Sequence, residues 1–564
     1  MTSSGGTIPT KARMDNECDR GEGGAMGSAA RQPTSSTASS PVAPPVSLSF
    51  LGATETVTGS KYLLTVGERR VLVDCGQFQG EKALRLRNWA AFPVVPATIT
   101  DVLLTHAHLD HCGYLPALVK AGFAGRIHCT PHTLELATIV LRDAGHLQER
   151  DAEDAAAGGW SKHSPPRPLY DTQDVEATLP LLSAVDFDTD LALGDGIVAR
   201  WTRAGHILGS ASIRVQTPGG SVLFSGDVGR VDHPVLRARE VPPGADYVVV
   251  ESTYGDREHP QPRNLPHERL ADAIRRTEQR GGSVLIPAFA VDRTEVVLQA
   301  LGEMMRHERI PRLPVYVNSP MATAALDVYR AAATELRADV DPRSAFDVGD
   351  LREVRTADES RALTQGRHGP AIIISSSGMA TGGRVLHHLE RMLPDPRNAV
   401  VLTGYQAVGT RGRQLAEGAT RLKIHGQYVG VRAEVVMDDE FSVHADASDL
   451  VSWVGDLRPR PRLVFCTHGE RSSAEALAAR LEKELRVDAV APRLDEVVTI
   501  DAGRLDTALP TVLPAPGTAP NLTVAIDGRT YAAAHLEADL RRVAGAGDDL
   551  VLTGTITLRL TPRG

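Results

Sequence analysis

Short runs that alternate apolar and polar residues open the ordered part of the chain. Residues 46–51 alternate in this way and predict a strand, and residues 61–66 and 70–74 predict two more around Gly67-Glu68, which is typical of a hairpin turn. Apolar runs at 99–104, 222–224 and 247–250 predict further, buried strands. Helical patterns fill the stretches 114–121 and 133–157, and the three prolines in 160–168 indicate a loop. Strands that alternate with helices favour an α/β fold.

A second block with the same alternation runs from residue 254 to residue 439. Its predicted strands are 283–287, 314–317, 371–374 and 400–403, and its clearest predicted helix is 293–306, with another ending near 392. A strand at 462–466 and a helix at 473–485 follow. The parallel-rich α/β pattern therefore continues almost to residue 500.

Both ends of the sequence break this pattern. Residues 1–45 are rich in Ser, Gly, Ala, Pro and Thr and contain no apolar core of a signal peptide, so they predict a disordered tail. Residues 524–531 predict a hairpin around Asp527-Gly528, and residues 551–560 are strand-like. We interpret residues 501–564 as a small C-terminal module of unknown role.

Composition narrows the class of protein further. The 564 residues exceed one ordinary core, and the net charge of −9 gives no general attraction to nucleic acid. No apolar run approaches the roughly 20 residues that span a bilayer, so no membrane segment is expected. The five cysteines are scattered and form no C-x-x-C pair, which favours buried packing roles in a reducing compartment, and we expect a cytoplasmic protein.

The segment from Thr105 to His111 carries the strongest chemical signal. It places His106, His108, Asp110 and His111 within six residues, directly after a predicted strand. Imidazole and carboxylate ligands suit zinc, or alternatively manganese, better than calcium. A histidine-rich solvated turn is the alternative, and the residues described next argue against it.

Three further candidate ligands lie in similar places. His206 lies among small residues, and Asp227 and His468 each follow a predicted strand. Either histidine alone would more often be an ordinary loop or core residue. Together the seven residues suit two metal ions. The predicted first group is His106, His108 and His206, the second is Asp110, His111 and His468, and Asp227 bridges them.

Two such ions clamp an in-line displacement at phosphorus when they lie about 3.5–4 Å apart. The expected nucleophile is a hydroxide shared between them, and a general acid is needed to protonate the leaving group. His444 is the candidate acid, although its spacing alone favours an ordinary loop histidine. Glu251 is a candidate to fix the tautomer of His444, and Asp74 to orient a ligand or the hydroxide; a strand-end cap or an ion pair is the alternative for both carboxylates.

The order of these residues resembles a known family. Asp74, the His-x-His-x-Asp-His segment at 106–111, His206 and Asp227 match the four motifs of the metallo-β-lactamase fold. Glu251, His444 and His468 resemble the three added motifs of its β-CASP branch of nucleic-acid nucleases. Residues 287–293, 375–384 and 403–413 resemble the RNA-processing members, which are related to the nuclease subunit of the eukaryotic cleavage and polyadenylation machinery. The resemblance covers about residues 47–497.

The resemblance implies a specific architecture. It predicts a four-layer αββα catalytic domain in two parts, 46–253 and 440–500, interrupted by an αβ β-CASP domain at 254–439, with the cleft between them. In this family a histidine at the last motif marks RNA-directed members, so His468 favours RNA over DNA.

Two glycine-rich segments of the inserted block suggest phosphate contacts. Ser375, Ser376 and Gly378 lie between a strand and a helix, where hydroxyl and backbone N–H groups suit a phosphate. The second segment contains Gly404, Gln406, Thr410, Arg411 and Arg413, and its arginines suit a nucleic-acid backbone. The alternative for both is a tight turn that needs glycine, with arginines on a solvated face.

The sequence thus predicts a two-zinc, cytoplasmic ribonuclease, and the family resemblance implies products with 5′-phosphate and 3′-hydroxyl ends. Its predicted partner is RNA, with no membrane, and a homodimer is compatible with this prediction. The alternatives are a DNA nuclease or small-molecule hydrolase of the same fold, and a non-catalytic RNA-binding subunit.

Overall fold

The computed structural model describes residues 45–158, 166–259, 265–366 and 369–500, together with the backbone of 523–526, 529–544 and 551–562. The predicted N-terminal tail, most of the predicted loop at 160–168 and the turn residues Asp527 and Gly528 lie outside the described residues.

The first part of the chain carries eleven strands and five α-helices in the described residues. The strands are β1 (Val46–Phe50), β2 (Tyr62–Val66), β3 (Arg69–Val73), β4 (Asp101–Leu103), β5 (Arg126–Cys129), β6 (Leu182–Ala184), β7 (Asp190–Gly194), β8 (Ile197–Arg203), β9 (Ala211–Thr217), β10 (Gly220–Phe224) and β11 (Tyr247–Glu251). The helices are α1 (Lys82–Arg87), α2 (Leu109–Cys112), α3 (Leu115–Lys120), α4 (Pro131–Gly158) and α5 (Thr172–Thr178).

The second part continues the alternation. Its strands are β12 (Val284–Pro287), β13 (Val315–Val317), β14 (Leu351–Glu353), β15 (Ile372–Ser375), β16 (Ala399–Leu402), β17 (Arg421–Ile424), β18 (Gln427–Gly430) and β19 (Glu434–Met437). Its helices are α6 (Glu268–Gln279), α7 (Arg293–Arg306), α8 (Pro320–Ala331), α9 (Ala357–Thr364), α10 (Val385–Met392) and α11 (Arg411–Ala416).

The last part returns to the first two sheets and then forms a sheet of its own. It contains α12 (Ala447–Asp456), β20 (Leu463–Thr467), α13 (Arg471–Leu485), β21 (Asp488–Val490), β22 (Val497–Ile500), β23 (Thr523–Ile526), β24 (Arg529–Ala544) and β25 (Val551–Pro562).

Two seven-stranded sheets pack face to face. Their orders are β22-β1-β2-β3-β4-β5-β6 and β21-β20-β11-β10-β9-β8-β7. Leu48 and Leu64 of one sheet share a buried core with Trp201 and Phe224 of the other. Helices α3 to α5 cover the outer face of the first sheet, and α12 and α13 cover that of the second. This confirms the predicted αββα layers.

A third sheet, with the order β14-β13-β15-β12-β16-β19, lies within residues 254–439. All its strand pairs are parallel, and apolar clusters cover both faces, as the continuous apolar runs of β12 and β15 require. Strands β15, β12 and β16 are neighbours, so the segments after Pro287, Ser375 and Leu402 leave from one edge. The predicted inserted αβ domain is therefore present. Its boundaries at 254 and 439 stay a prediction.

Local predictions hold best where the pattern is regular. The β2–β3 hairpin turns at the predicted Gly67-Glu68, with Val66 opposite Arg69, and α7 spans the predicted residues 293–306. The predicted hairpin after residue 523 is confirmed by the pairing of Ile526 with Arg529. The continuation of β24 through Ala544 was not predicted. No helix in the described ranges is long and apolar enough to cross a membrane.

Candidate metal centre

Many of the candidate ligands lie at the carboxyl ends of strands in the two large sheets. In the first sheet β3 and β4 are parallel neighbours, and Asp74 and the His106 segment follow them. In the second sheet β10, β11 and β20 are parallel neighbours, and Asp227, Glu251 and His468 lie at or just beyond their carboxyl ends. Since parallel neighbours end at the same edge, the strand order alone collects side chains that are distant in sequence. This strand order brings together most of the seven predicted ligands.

The first predicted ligand group is compact. The Nε2 atom of His106 lies 3.2 Å from Nδ1 of His108, which lies 3.3 Å from Nε2 of His206. The Oδ2 atom of Asp227 lies 3.5 Å from Nε2 of His106 and 3.6 Å from Nε2 of His206. Each of the four residues offers one donor atom, and these four atoms all lie within 4.8 Å of one another.

The second predicted group adjoins the first. The Nε2 atoms of His111 and His468 lie 3.1 Å apart, and Oδ2 of Asp110 lies 3.5 Å from Nε2 of His468. Asp227 turns its other oxygen to this side, with Oδ1 3.3 Å from Nε2 of His111 and 3.4 Å from Nδ1 of His468. Asp227 therefore lies between the two groups, as the sequence predicts for a bridging residue.

Electrostatics favour metal binding over protonation in the first group. Burial, with repulsion from neighbouring imidazoles, holds the pKa of His106 and His206 well below the ordinary value, and burial also lowers the pKa of His108. Neutral imidazoles that turn ring nitrogens toward one another lack hydrogen atoms to satisfy every lone pair, and Oδ1 of buried Asp227 has no hydrogen-bond partner. A cation among these atoms resolves both deficits, so the residues fit a metal.

In the second group, carboxylates and imidazoles shift each other's pKa values. Burial acts to lower the pKa of His111, but the carboxylates of Asp227 and Asp74 outweigh it and hold that pKa well above its ordinary value. Burial acts to raise the pKa of Asp227, and His468 and His111 hold it well below the usual range. The charge of Asp227 is therefore maintained in the buried centre by its imidazole neighbours.

Asp74 orients the second group from behind. Its Oδ2 lies 2.7 Å from Nδ1 of His111, while Oδ1 accepts the backbone N–H of Thr105 at 2.8 Å and Oδ2 accepts its hydroxyl at 2.9 Å. Because Asp74 occupies Nδ1, the Nε2 atom of His111 faces the centre. Sequence reasoning anticipated Asp74 but missed Thr105, whose position directly before His106 was the available signal.

His468 has a similar anchor that the sequence did not reveal. The hydroxyl of Thr253 lies 3.2 Å from Nδ1 of His468 and donates to its carbonyl at 3.1 Å. Thr253 is two residues beyond Glu251 on the same segment, so the end of β11 positions two neighbours of the centre.

Buried Glu251 and partly buried His444 form a pair beside the first group. The Nδ1 atom of His444 lies 3.1 Å from Oε1 of Glu251, and the backbone N–H groups of Val228 and Thr253 donate to the carboxylate at 2.8 and 3.2 Å. The imidazole ring lies 4.4 Å from that of His206, between ring centroids. Burial acts to lower the pKa of His444, but Glu251 and Asp227 raise it above its ordinary value.

Glu251 also falls within a third group with Asp227 and His468. The carboxylate of Glu251 already bonds to His444 and to the backbone N–H groups of Val228 and Thr253, which favours the predicted role of orienting His444.

The inserted domain supports the centre through a polar contact to the His206 loop. The hydroxyl of Tyr329 in α8 accepts the backbone N–H of Leu208 at 3.1 Å and donates to Oδ1 of Asp292 at 2.9 Å. Asp292 has φ of +70°, a strained angle for a side chain with Cβ, and its carboxylate also lies 3.3 Å from Nε2 of His233. These contacts tie the inserted domain to the segment that carries His206.

Tyr329→Phe is therefore expected to destabilise the protein. Removal of the hydroxyl leaves the buried N–H of Leu208 and an oxygen of Asp292 without partners, at a cost of about 1–3 kcal/mol in the free energy of unfolding. Chemical denaturation measures the change, with Tyr428→Phe as control because Tyr428 is 69% exposed. Equal stability of the two variants would show that the contact contributes nothing.

The predicted phosphate contact at Ser375 needs correction. Ser375 is fully buried at the end of β15, and its hydroxyl donates to the carbonyl of Asn318 at 3.1 Å. Gly378 packs against Phe289, where a Cβ would lie 2.9 Å from the ring. Only Ser376 keeps a hydroxyl without a partner, and that oxygen is buried. Binding of RNA by Ser376 and Gly378 stays a prediction.

The second predicted segment is also more structured than expected. Arg411 and Arg413 belong to α11, because the hydroxyl of Thr410 accepts the N–H of Arg413 and begins the helix. Gln406 is buried and donates to the carbonyls of Gly378 and Gly404. Gly404 has φ of +113° and lies against the guanidinium of Arg293, so a Cβ there would collide.

The two arginines differ in how they are held. Arg411 donates to the carbonyls of Lys423, Ala380 and Thr381, and burial lowers its pKa, so its side chain joins the two glycine-rich segments. Arg413 is 35% exposed and pairs with Glu417 at 2.6 Å and with Glu470 at 3.9 Å. These contacts give Arg411 a structural role within the inserted domain.

Phe289 brings the inserted domain close to the ligands. Its ring centroid lies 6.1 Å from that of His108, and it packs with Val57, Met379 and Ala407 in a small apolar cluster. The centre thus lies where the edge of the third sheet meets the two large sheets.

Comparisons with known proteins match three domain families along the chain. Residues 56–288 match the metallo-beta-lactamase superfamily, residues 294–415 the Beta-Casp domain, and residues 428–492 the Zn-dependent metallo-hydrolase RNA specificity domain.

Several curated proteins are similar over most of their length. A ribonuclease of Thermus thermophilus is 38% identical over 435 residues, which cover 76% of this chain and 94% of that protein. An RNase J-like protein of Methanocaldococcus jannaschii is 30% identical, covering 79% and 98%. A transcription termination factor of Methanosarcina mazei is 31% identical, covering 78% and 70%.

Proposed function

This chain belongs to the β-CASP family of the metallo-β-lactamase superfamily, and we propose that it hydrolyses phosphodiester bonds of RNA. The observation that carries the proposal is the pair of adjoining ligand groups with Asp227 between them. The similarity to a protein named a ribonuclease supports the same reaction. The match of residues 428–492 to an RNA specificity domain, together with His468, supports RNA as the substrate.

We assign two metal ions to the centre. His106, His108 and His206 would hold one, Asp110, His111 and His468 the other, and Asp227 both. We propose zinc, with manganese as the alternative, because nitrogen ligands predominate. Such ions lower the pKa of a water molecule and offset negative charge on phosphoryl oxygens.

The protein's own residues supply position and a proton. Asp74 fixes the direction of His111, and Glu251 holds Nδ1 of His444. Because Glu251 raises the proton affinity of His444, this imidazole is suited to protonate the departing 3′-oxygen of RNA. Cleavage on that side of phosphorus leaves 5′-phosphate and 3′-hydroxyl ends.

Arg413 is the best remaining candidate for a contact with the RNA backbone. We expect Arg413→Ala to weaken RNA binding and to reduce the dependence of log affinity on log salt concentration by about one unit of slope. Arg397→Ala is the matched control, because Arg397 is an exposed arginine with its own acidic partner, Asp395. RNA affinities measured across a salt series compare them. Equal salt slopes for Arg413→Ala and Arg397→Ala would show that Arg413 does not contact RNA and only pairs with Glu417.

One assay separates the proposed function from its rivals. End-labelled RNA and DNA oligonucleotides of the same sequence are incubated with the protein, alongside a small β-lactam or thioester substrate. We expect cleavage of RNA to products with 5′-phosphate ends. Faster cleavage of DNA, or of the small substrate, would identify a different hydrolase. RNA binding without cleavage by protein that carries its metals would identify a non-catalytic subunit.

We also propose that the protein acts in the cytoplasm. Cys75, Cys112, Cys129 and Cys466 are all buried free thiols, which is the state expected in a reducing compartment. The homodimer stays a prediction, which light scattering on the purified chain would test.

A further inference from the structure

A second cluster of potential ligands lies outside the catalytic centre. His387 and Glu390 of α10 and His425 of the β17–β18 turn each offer one donor atom, and these atoms lie within 4.8 Å of one another. The Nδ1 atom of His425 lies 3.3 Å from Oε2 of Glu390, and the ring centroids of His387 and His425 are 4.8 Å apart. All three residues are exposed, so the cluster is open to ions from solvent.

Local structure aims these side chains at one point. His387 and Glu390 are three residues apart on a helix and therefore share a face. Ile424 pairs with Gln427, so His425 and Gly426 form a two-residue hairpin turn. Both turn residues have positive φ, +44° and +80°, a conformation that glycine adopts readily and that Asn, Asp and His adopt more often than other side chains do. The turn presents the His425 ring toward α10.

Two carboxylates near the end of α4 act electrostatically on this cluster. Asp154 acts electrostatically on His387, and Asp151 interacts with both Asp154 and His425. Arg150 is the opposing charge at this surface.

We propose that His387, Glu390 and His425 form a binding site for a divalent transition-metal ion such as Zn²⁺ or Ni²⁺. Two imidazoles and a carboxylate select such ions over Ca²⁺ and Mg²⁺, which prefer oxygen ligands. Asp151 and Asp154 of α4 interact electrostatically with this cluster, and their negative charge favours a cation there.

Metal titration of the full-length protein tests the site. Protein that retains its purified metals is titrated with Ni²⁺, and uptake is measured by equilibrium dialysis. We expect the unmodified chain to take up one more equivalent than the His387→Ala/His425→Ala variant, and its thermal unfolding temperature to rise with Ni²⁺ while that of the variant does not. His146→Ala is the matched control, because His146 is 75% exposed and lies 3.9 Å from Glu149 without a second histidine.

A second variant guards against a general effect on folding. His425→Asn removes the imidazole but keeps a residue suited to the left-handed turn. We expect it to lose the additional equivalent while it hydrolyses RNA, without added Ni²⁺, at the unmodified rate. Equal Ni²⁺ uptake by the unmodified protein, the double variant and His425→Asn would overturn the proposal. Because the readout is metal uptake, this result would leave the proposed ribonuclease activity untouched.

Discussion

Replacement of Asp227 by Asn is expected to reduce RNA hydrolysis by about 10⁴-fold or more, equivalent to about 5 kcal/mol in the activation barrier. Asp227 is the only residue of the described chain that contributes an oxygen to each predicted ligand group, at 3.3–3.6 Å from four imidazoles. The amide keeps the shape but loses the negative charge that balances two cations. Two bound ions would lower the pKa of a water molecule, and this activation would be lost with them.

Two measurements check this prediction together. Single-turnover kinetics give the rate, and elemental analysis gives the metal content of the same preparation. Asp232→Asn serves as control, because Asp232 is a 71% exposed carboxylate paired with Arg230. Asp227→Asn protein with normal metal content and normal rate would exclude the bridging role.

His444→Ala is expected to lower the rate of the chemical step by about 10²–10⁴-fold while metal content and RNA affinity remain normal. His444 lies beside the first ligand group, but Glu251 occupies its Nδ1 at 3.1 Å, which leaves Nε2 for proton transfer. Loss of a metal ion from this variant would make His444 a ligand instead.

The leaving group offers a sharper test of His444. RNA with sulfur in place of the bridging 3′-oxygen releases a thiolate, which needs no proton from a general acid. We expect this substrate to restore most of the rate of His444→Ala relative to the unmodified protein. Glu251→Gln should show the same pattern to a smaller degree, since it acts by positioning His444. If His444→Ala slowed hydrolysis of the oxygen and sulfur substrates by the same factor, His444 would have a structural role only.

The candidate ligands could be picked out from the sequence because most of them follow a strand closely. The apolar runs before His106, Asp227 and His468 are unambiguous, and the parallel strand order then brings their ends together. Asp74 and Glu251 were identified in the same way. The fold class followed from the same alternation of strands and helices, but individual elements such as β8, β9 and α8 were not predicted.

The inserted domain was harder to predict in detail. Whether the Ser375 hydroxyl faces a cleft or the interior depends on the carbonyl of Asn318, 57 residues away. The contact from Tyr329 to Leu208 spans 121 residues and carries no local signal. Arg411 looked like a free cation in a glycine-rich loop, yet its donors are taken up by backbone carbonyls of two other segments. Long-range hydrogen bonds of this kind follow from the fold and not from spacing.

Stepwise return of metal to depleted protein tests the central claim, two-metal hydrolysis of RNA, most directly. The protein is stripped with a chelator, zinc is added in increments, and cleavage of end-labelled RNA is measured at each step. His425→Asn is used for this titration so that the surface site does not compete. We predict no cleavage without metal, and full activity only when the second equivalent has been bound. Full activity at one equivalent, or cleavage that persists after complete removal of metal, would contradict the account.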